Sequence, residues 1–304
     1  VARVEPNAAE RVCCIGTGVI GGGWVALFLA RGLDVTVWDP APDAEPRLRE
    51  LIARAWPSLS ELGLVEGASP ERWRVAETVA EAVEGAQFVQ ESAPERLALK
   101  QDLLAEIDAA AEPDVVIASS TSNLLVVDMA AKAARPERIV AGHPYNPSYL
   151  IPLVEVVGGP KTDRAAVEWA AAFYDHLGKY SILMEREVAG FIANQLQAAL
   201  SREVTRMWLA GEATIEQIDD AISEGPGLRW ALFGPSMAYH LASSGGIRGS
   251  IAHFGREFHE AETEEQFVAE VEALARGRSV AELEVERDAK LVAILKAKGG
   301  QPAS

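Results

Sequence analysis

Cysteine is nearly absent. The 304 residues hold two, Cys13 and Cys14, which are adjacent, so in an extended segment their side chains point to opposite faces and do not bridge. A disulfide framework is excluded, and both read as small, reduced core residues, which suits the cytoplasm. No apolar run approaches the roughly 18 residues that a membrane span needs, and no signal-peptide pattern precedes the first strand-like segment. Basic residues are scarce beside acidic ones: 28 Lys and Arg against 45 Asp and Glu leave a formal net charge of −17. Nucleic acid and anionic membranes are therefore poor partners, because both are held by positive surface. There is no internal repeat or low-complexity tract, and no metal site is expected. What remains is the composition of a globular protein, 49% hydrophobic and 24% charged, long enough for one large domain or two ordinary ones.

The first ten residues lack periodicity and read as a loose arm. Val12 to Ile15 form a short buried strand that runs into Gly16-Thr17-Gly18-Val19-Ile20-Gly21-Gly22-Gly23. Helical periodicity follows from about Trp24 to Arg31, Gly32 supplies a stop, and the strand Val35 to Trp38 ends at Asp39. This is a strand–GxGxxG–helix–strand–acid unit. Gly16 permits the tight turn, Gly18 lets backbone N–H groups approach a pyrophosphate, and Gly21 lets the helix pack on the strand; the helix N-terminus then faces the phosphates, and Val19 and Ile20 are counted with the glycines as cofactor-binding residues. Asp39 can accept from a ribose diol and would repel a 2′-phosphate, so NAD is expected rather than NADP.

Further along, 43–64 has a helical pattern interrupted at Pro57. A strand over 73–76, a short helix over 78–84 and a strand Phe88 to Glu91 follow, then the loop Ser92-Ala93-Pro94-Glu95 and a helix over 96–111. The strand Val115 to Ala118 delivers Ser119-Ser120-Thr121-Ser122-Asn123 at its carboxyl end, where ligands of open α/β sheets sit; a hydroxyl-rich helix cap is the alternative. Ile139 to Ala141, a strand over 154–157 and a helix over 164–177 complete an α/β layer ending near Glu185. Beyond Val188 the pattern is helical, with a long apolar-periodic helix to about Leu209, a capping box at Thr214 and Gln217, and a frayed tail from Gly299 to Ser304. The expected fold is α/β: a Rossmann-type dinucleotide-binding domain over 1–187, then an all-helical C-terminal domain over 188–304, with a cleft between them.

The stretch Gly142-His143-Pro144-Tyr145-Asn146-Pro147 places a histidine on a Pro-bounded loop. The following apolar run, a strand broken at its start by Pro152, carries Glu155 back past it. Such a His–Glu pair can do proton chemistry or serve as a structural ion pair.

Six blocks in order resemble the 3-hydroxyacyl-CoA dehydrogenase superfamily over nearly the whole chain. They are GTGVIGGG at Gly16, ESAPERLALK at Glu91, ASSTSN at Ala118, GHPYNP at Gly142, LVEV at Leu153 and GFIANQ at Gly190. Within it the chain looks most like the L-carnitine dehydrogenases, through the segments starting at Trp56, Gly63, Gly227 and Tyr239. L-gulonate dehydrogenases and the lens λ-crystallins share a similar Gly-Leu-Arg-aromatic block. The resemblance implies that His143 is a general base taking the proton of a substrate hydroxyl, with Glu155 orienting it and Ser122 and Asn194 bonding the substrate oxygen. It also places Glu95, Lys100, Ser122 and Asn146 on the nicotinamide-ribose side of NAD, and implies a homodimer. The implied reaction is NAD-dependent oxidation of a small 3-hydroxy acid, L-carnitine first, with a 3-hydroxyacyl-CoA, L-gulonate or a non-catalytic crystallin-like role as alternatives. The segment 40–50, which corresponds to the CoA-phosphate helix of relatives, carries Arg47 and Arg49 but no lysine, which weakens an acyl-CoA substrate. A trimethylammonium group needs an aromatic or acidic box. Tyr145, Tyr149, Trp230, Phe233 and Tyr239 are the aromatic candidates, and Arg229 is the candidate partner of a carboxylate.

Overall fold

The computed structural model describes residues 3–255 and 261–298, so the tail expected from Gly299 lies outside the described residues. By its contacts the chain divides into two compact units, Val1–Ala198 and Ala199–Ser304.

The first unit is built on one eight-stranded sheet. Its strands are β1 (Arg11–Ile15), β2 (Asp34–Trp38), β3 (Trp73–Val75), β4 (Phe88–Glu91), β5 (Val116–Ser119), β6 (Ile139–Pro144), β7 (Leu153–Gly158) and β8 (Tyr180–Leu183). Their spatial order is β3-β2-β1-β4-β5-β6-β7-β8. The first six run parallel; β7 is antiparallel to β6, and β8 is parallel to β7. The order reverses between β1 and β4, which is the switch point where open α/β sheets bind ligands. Both faces are covered. Val12 and Cys14 point to one cluster with Trp24, Phe28, Phe88 and Phe173, whereas Cys13 and Ile15 point to the other with Leu104, Ile107 and Ile117. The adjacent cysteines thus face opposite layers; both are free, and burial raises the pKa of each thiol.

Four local expectations are corrected. Helix α1 spans Val19–Ala30, five residues earlier than its periodicity suggests, so Gly21, Gly22 and Gly23 lie inside it. Three helical glycines cost about 0.5–1 kcal/mol each in chain entropy. Gly21 is required by backbone, since a Cβ there would lie 1.9 Å from the Gly16 carbonyl oxygen; at Gly22 and Gly23 it would crowd side chains, 2.8 Å from Leu51 and 2.2 Å from the Ser148 hydroxyl, which would have to move. Helix α2 (Ala44–Leu62) continues through Pro57, because Leu48, Ile52, Ala55 and Leu59 bury one stripe on both sides of it. The N-terminal arm is docked from Arg3 onward. Trp169 Nε1 donates to the Val4 carbonyl at 2.6 Å, and Arg3 Nε donates to the Asp114 carbonyl at 2.8 Å. His143 belongs to β6 rather than to a loop; Pro144 is the last residue of that strand, where a missing N–H costs no ladder bond.

The remaining helices of this unit are α3 (Val79–Val83), α4 (Leu97–Ala110), α5 (Val126–Met129), α6 (Arg164–His176) and the start of α7 (Phe191–Leu209). The described part of the second unit is helical: the rest of α7, then α8 (Ile215–Ser223), α9 (Pro226–Trp230), α10 (Pro235–His240), α11 (Gly246–Phe254), α12 (Ala261–Leu274) and α13 (Val280–Ala297). Thr214 and Gln217 form the expected capping box of α8, and Ser279 with Glu282 forms another on α13. Two small cores hold it: Met237, Leu241, Ala275 and Leu283, and Ile247, Val268 and Val271. No helix among the described residues is long and apolar enough to cross a membrane.

Candidate active site

The β1–α1 turn is shaped for a dinucleotide phosphate. No side chain caps α1, Gly18 opens on free space, and Val19 is 65% exposed, so the first-turn N–H groups are available to an anion. Gly16 has φ +85° and packs against the Ser92–Ala93 backbone, where a Cβ would come within 2.9 Å. Asp39 braces this turn: its Oδ2 accepts from the Thr17 N–H at 2.7 Å and the Thr17 hydroxyl at 3.0 Å, and its Oδ1 from the Ala41 N–H at 3.0 Å. A carboxylate has about four acceptor positions, so one, on Oδ1, remains for a ribose hydroxyl. Arg47 and Arg49 are paired with Asp43 (3.1 Å) and Glu45 (2.9 Å), and Arg49 also lies over the Trp73 ring.

A second group gathers beyond the carboxyl ends of β4 and β5. Lys100, expected on the cofactor's ribose side, is buried, and its Nζ donates to both oxygens of Glu91 at 2.8 and 2.9 Å. Ser119 donates to Glu91 Oε2 at 2.5 Å. Lys100 also lies 3.7 Å from Glu95. Glu95 Oε1 accepts from the Thr121 hydroxyl at 2.6 Å and from the Ser122 and Asn123 N–H groups at 2.9 Å each. Burial opposes its charge, but the Thr121 hydroxyl, Lys100 and those N–H groups outweigh it and lower its pKa. Glu95 thus organises the turn carrying Ser122. Glu91, Ser119 and Thr121 complete this group; sequence reading flagged Ser119 and Thr121 only within the polar cluster 119–123 and gave Glu91 no role. The available signal was Glu91 opening the block that ends in Lys100.

The third group is the His–Glu pair. His143 and Glu155 are directly opposite residues of the antiparallel β6–β7 ladder. His143 Nδ1 lies 2.9 Å from Glu155 Oε2, and both side chains are buried. A carboxylate only accepts, so Nδ1 carries a proton, and in the neutral imidazole this leaves Nε2 as the acceptor. Glu155 Oε1 accepts from the Ile192 and Ala193 N–H groups at 2.8 and 3.1 Å, placing its charge at the N-terminus of α7. The imidazole is clamped between the stacked ring of Phe191 (4.7 Å, 21°) and the edge of Tyr145 (5.3 Å, 62°). Phe191 has φ +48°, in the left-handed region, at a cost of about 1–3 kcal/mol for a non-glycine residue. Sequence reading missed Phe191; its backbone conformation is set by packing, which leaves no local signal.

Asn194 connects the second and third groups. Its Nδ2 donates to the Ser122 carbonyl at 3.1 Å, and its Oδ1 accepts from the Tyr145 hydroxyl at 2.6 Å. His143, Glu155, Ser122, Asn194, Tyr145 and Glu95 therefore form one connected set within the first unit. Asn146 is exposed two residues after β6. Arg229 and Trp230 are exposed at the end of α9 in the second unit, Phe233 packs there with Lys290 5.7 Å from its ring centre, and Tyr239 packs against Phe254.

Such a sheet, with a dinucleotide turn at its switch point and a His–Glu pair at its carboxyl edge, defines an NAD-dependent dehydrogenase. The chain belongs to the 3-hydroxyacyl-CoA dehydrogenase family: the family model of the NAD binding domain matches residues 11–188 and that of the C-terminal domain residues 190–278. It is 56% identical to an L-carnitine dehydrogenase of Streptomyces griseus, over 100% of this chain and 94% of that protein. It is 49% identical to one of Pseudomonas aeruginosa, over 92% and 91%. Among solved structures it is similar to a 5-formyl-3-hydroxy-2-methylpyridine 4-carboxylic acid 5-dehydrogenase, an NAD+-dependent dismutase, with TM-score 0.75 and 28% identity over 97% of this chain and 100% of that one. It is also similar to the 3-hydroxybutyryl-CoA dehydrogenase of Escherichia coli, with TM-score 0.66 and 26% identity over 82% and 53%.

Proposed function

We propose that the chain oxidises L-carnitine to 3-dehydrocarnitine with NAD, using His143 as general base. The observation that carries the substrate is end-to-end similarity to L-carnitine dehydrogenases at 56% identity. His143 Nε2 takes the hydroxyl proton while hydride leaves the carbinol carbon. Glu155 holds the imidazole in the tautomer that can accept, and stabilises the cation that forms. Ser122, whose N–H and carbonyl are both engaged, offers its hydroxyl to the substrate oxygen beside the Asn194 amide. Gly16, Gly18, Val19, Ile20, Gly21 and Asp39 hold the adenosine and pyrophosphate of NAD. Glu95 and Asn146 border its other ribose, with Lys100 acting there through Glu95. When bound, the nicotinamide supplies the hydride acceptor.

A homodimer in the cytoplasm completes the proposal. Helix α7 leaves Ile192, Leu196 and Leu200 45%, 60% and 40% exposed at four-residue spacing, a stripe that a second copy would cover. The two reduced cysteines suit that compartment.

The test is NADH formation at alkaline pH with a panel of hydroxy acids. L-carnitine is expected to give the highest kcat/KM, and His143→Gln to abolish turnover while NAD still binds. Turnover of L-gulonate or 3-hydroxybutyryl-CoA instead would move the chain to a neighbouring activity; NAD binding with no turnover at all would make it a non-catalytic member.

A further inference from the structure

We propose that Tyr145 is a positioning residue that fixes the Asn194 amide through its phenol, and so sets how that amide meets the reacting oxygen. This rests on the assignment of Asn194 to the substrate oxygen given above. An asparagine side chain presents two different faces, a carbonyl and an NH2, and a rotation of 180° exchanges them. Only one face donates to an oxygen that gains negative charge when its proton leaves.

The two partners of Asn194 differ in kind. The Ser122 carbonyl only accepts, so it selects Nδ2, at 3.1 Å. The Tyr145 hydroxyl then donates to Oδ1, at 2.6 Å. The amide is held at both ends, and one N–H is left over for a ligand. With the carbonyl contact alone the amide keeps its preference but loses its second anchor, and Oδ1 stays part-buried without a donor.

Both ends of the Tyr145–Asn194 bond come from the frame that holds the His–Glu pair. Tyr145 follows the last residue of β6 and sets its ring edge against His143. Asn194 lies in the first turn of α7, whose N–H groups bond Glu155. The phenol therefore ties the hydrogen-bonding arm of the site to its proton-accepting arm. Burial, followed by the charge of Glu155, pushes the Tyr145 hydroxyl up to about 12, so it stays a donor at the alkaline pH that favours alcohol oxidation.

A double-mutant cycle on the full chain separates this role from a contact of the ring with a cationic substrate. Tyr145→Phe keeps the ring and removes the hydroxyl. It is expected to lower kcat roughly five- to tenfold, the scale of one lost hydrogen bond, with KM and the NAD dissociation constant within about twofold. Asn194→Ala is expected to lower kcat further, and adding Tyr145→Phe to it to cost less than about twofold more. Asn194→Ser serves as the second background if Asn194→Ala does not fold, and near-UV circular dichroism checks folding throughout.

Additive losses in the cycle would overturn the proposal. So would a silent Tyr145→Phe together with a raised KM in Tyr145→Leu, which would assign the ring to the substrate. If L-carnitine is not oxidised but another hydroxy acid is, the substrate reading fails and the cycle is run on that acid, where the same coupling is expected. If no hydroxy acid is oxidised, both readings fall.

Discussion

Replacing Glu155 by Gln exchanges one oxygen for an NH2 and should lower kcat by about three to four orders of magnitude. In the native site one carboxylate oxygen takes the Ile192 and Ala193 N–H groups, at 2.8 and 3.1 Å, and the other takes the Nδ1 proton of His143, at 2.9 Å. A glutamine has a single acceptor atom. Turned so that its NH2 meets the helix, it sets donors against two N–H groups. Turned the other way, its oxygen keeps those two bonds and its NH2 faces His143. The second arrangement preserves more bonds, and it obliges Nδ1 to accept. The ring proton then sits on Nε2, the atom that must receive the substrate proton. A wrong-tautomer histidine costs about 10⁴-fold in a triad, equivalent to about 5.4 kcal/mol of barrier. The loss should fall on kcat alone, because the glycine turn that binds NAD is untouched. Removing the charge from the α7 N-terminus should cost stability only about 0.3–2 kcal/mol. The assay is steady-state NADH absorbance with saturating hydroxy acid, alongside an NAD titration by tryptophan fluorescence. A Glu155→Gln enzyme within about tenfold of the native kcat would refute the tautomer reasoning.

Two further outcomes follow from the scaffold. Gly23→Ala puts a Cβ 2.2 Å from the Ser148 hydroxyl, which donates to the Ile20 carbonyl at 2.9 Å; stability should fall by about 1–3 kcal/mol, and an unchanged urea midpoint would contradict the packing assigned to that glycine. Burial and the nearby Arg31 lower the Lys179 ammonium from 10.5 to about 8. Across that interval the unfolded chain binds a proton that the folded chain has released, so this group makes stability rise with pH, by up to about 3 kcal/mol. Lys179→Met should remove that rise, and parallel pH dependences of the two urea midpoints between pH 7.5 and 10.5 would rule it out.

The glycine turn, the acid ending β2 and the capping box of α8 were legible in sequence because each is local: residue type and spacing suffice. So was the expectation that β7 carries Glu155 back past His143. The N-terminus of α1 was not, since a glycine run reads as a turn until the neighbours that forbid a side chain are known. Pro57 reads as a break for the same reason; the buried stripe on either side of it is a tertiary fact. Strand β8, with partly exposed residues at the sheet edge, has no alternation to reveal it. Within the site, Lys100 could be selected by its motif, but its burial against Glu91 could not. The bond from Tyr145 to Asn194 joins residues 49 apart in sequence, and no periodicity reports such a pair.

Because His143 and Glu155 face each other across a strand ladder, their spacing does not depend on the eight residues, 145–152, that connect the two strands. Backbone pairing sets it, and a slip of one residue would turn a side chain to the opposite layer. The connection is thereby released from setting that distance, and its side chains serve other ends: Tyr145 ties the Asn194 amide and Ser148 bonds the Ile20 carbonyl under α1. Its exposed residues Leu150 and Ile151 can change while the proton acceptor stays where it is. The distance between acid and base and the hydrogen bonds around them are thus set by different features, a ladder register and a connecting segment, and can be altered one at a time.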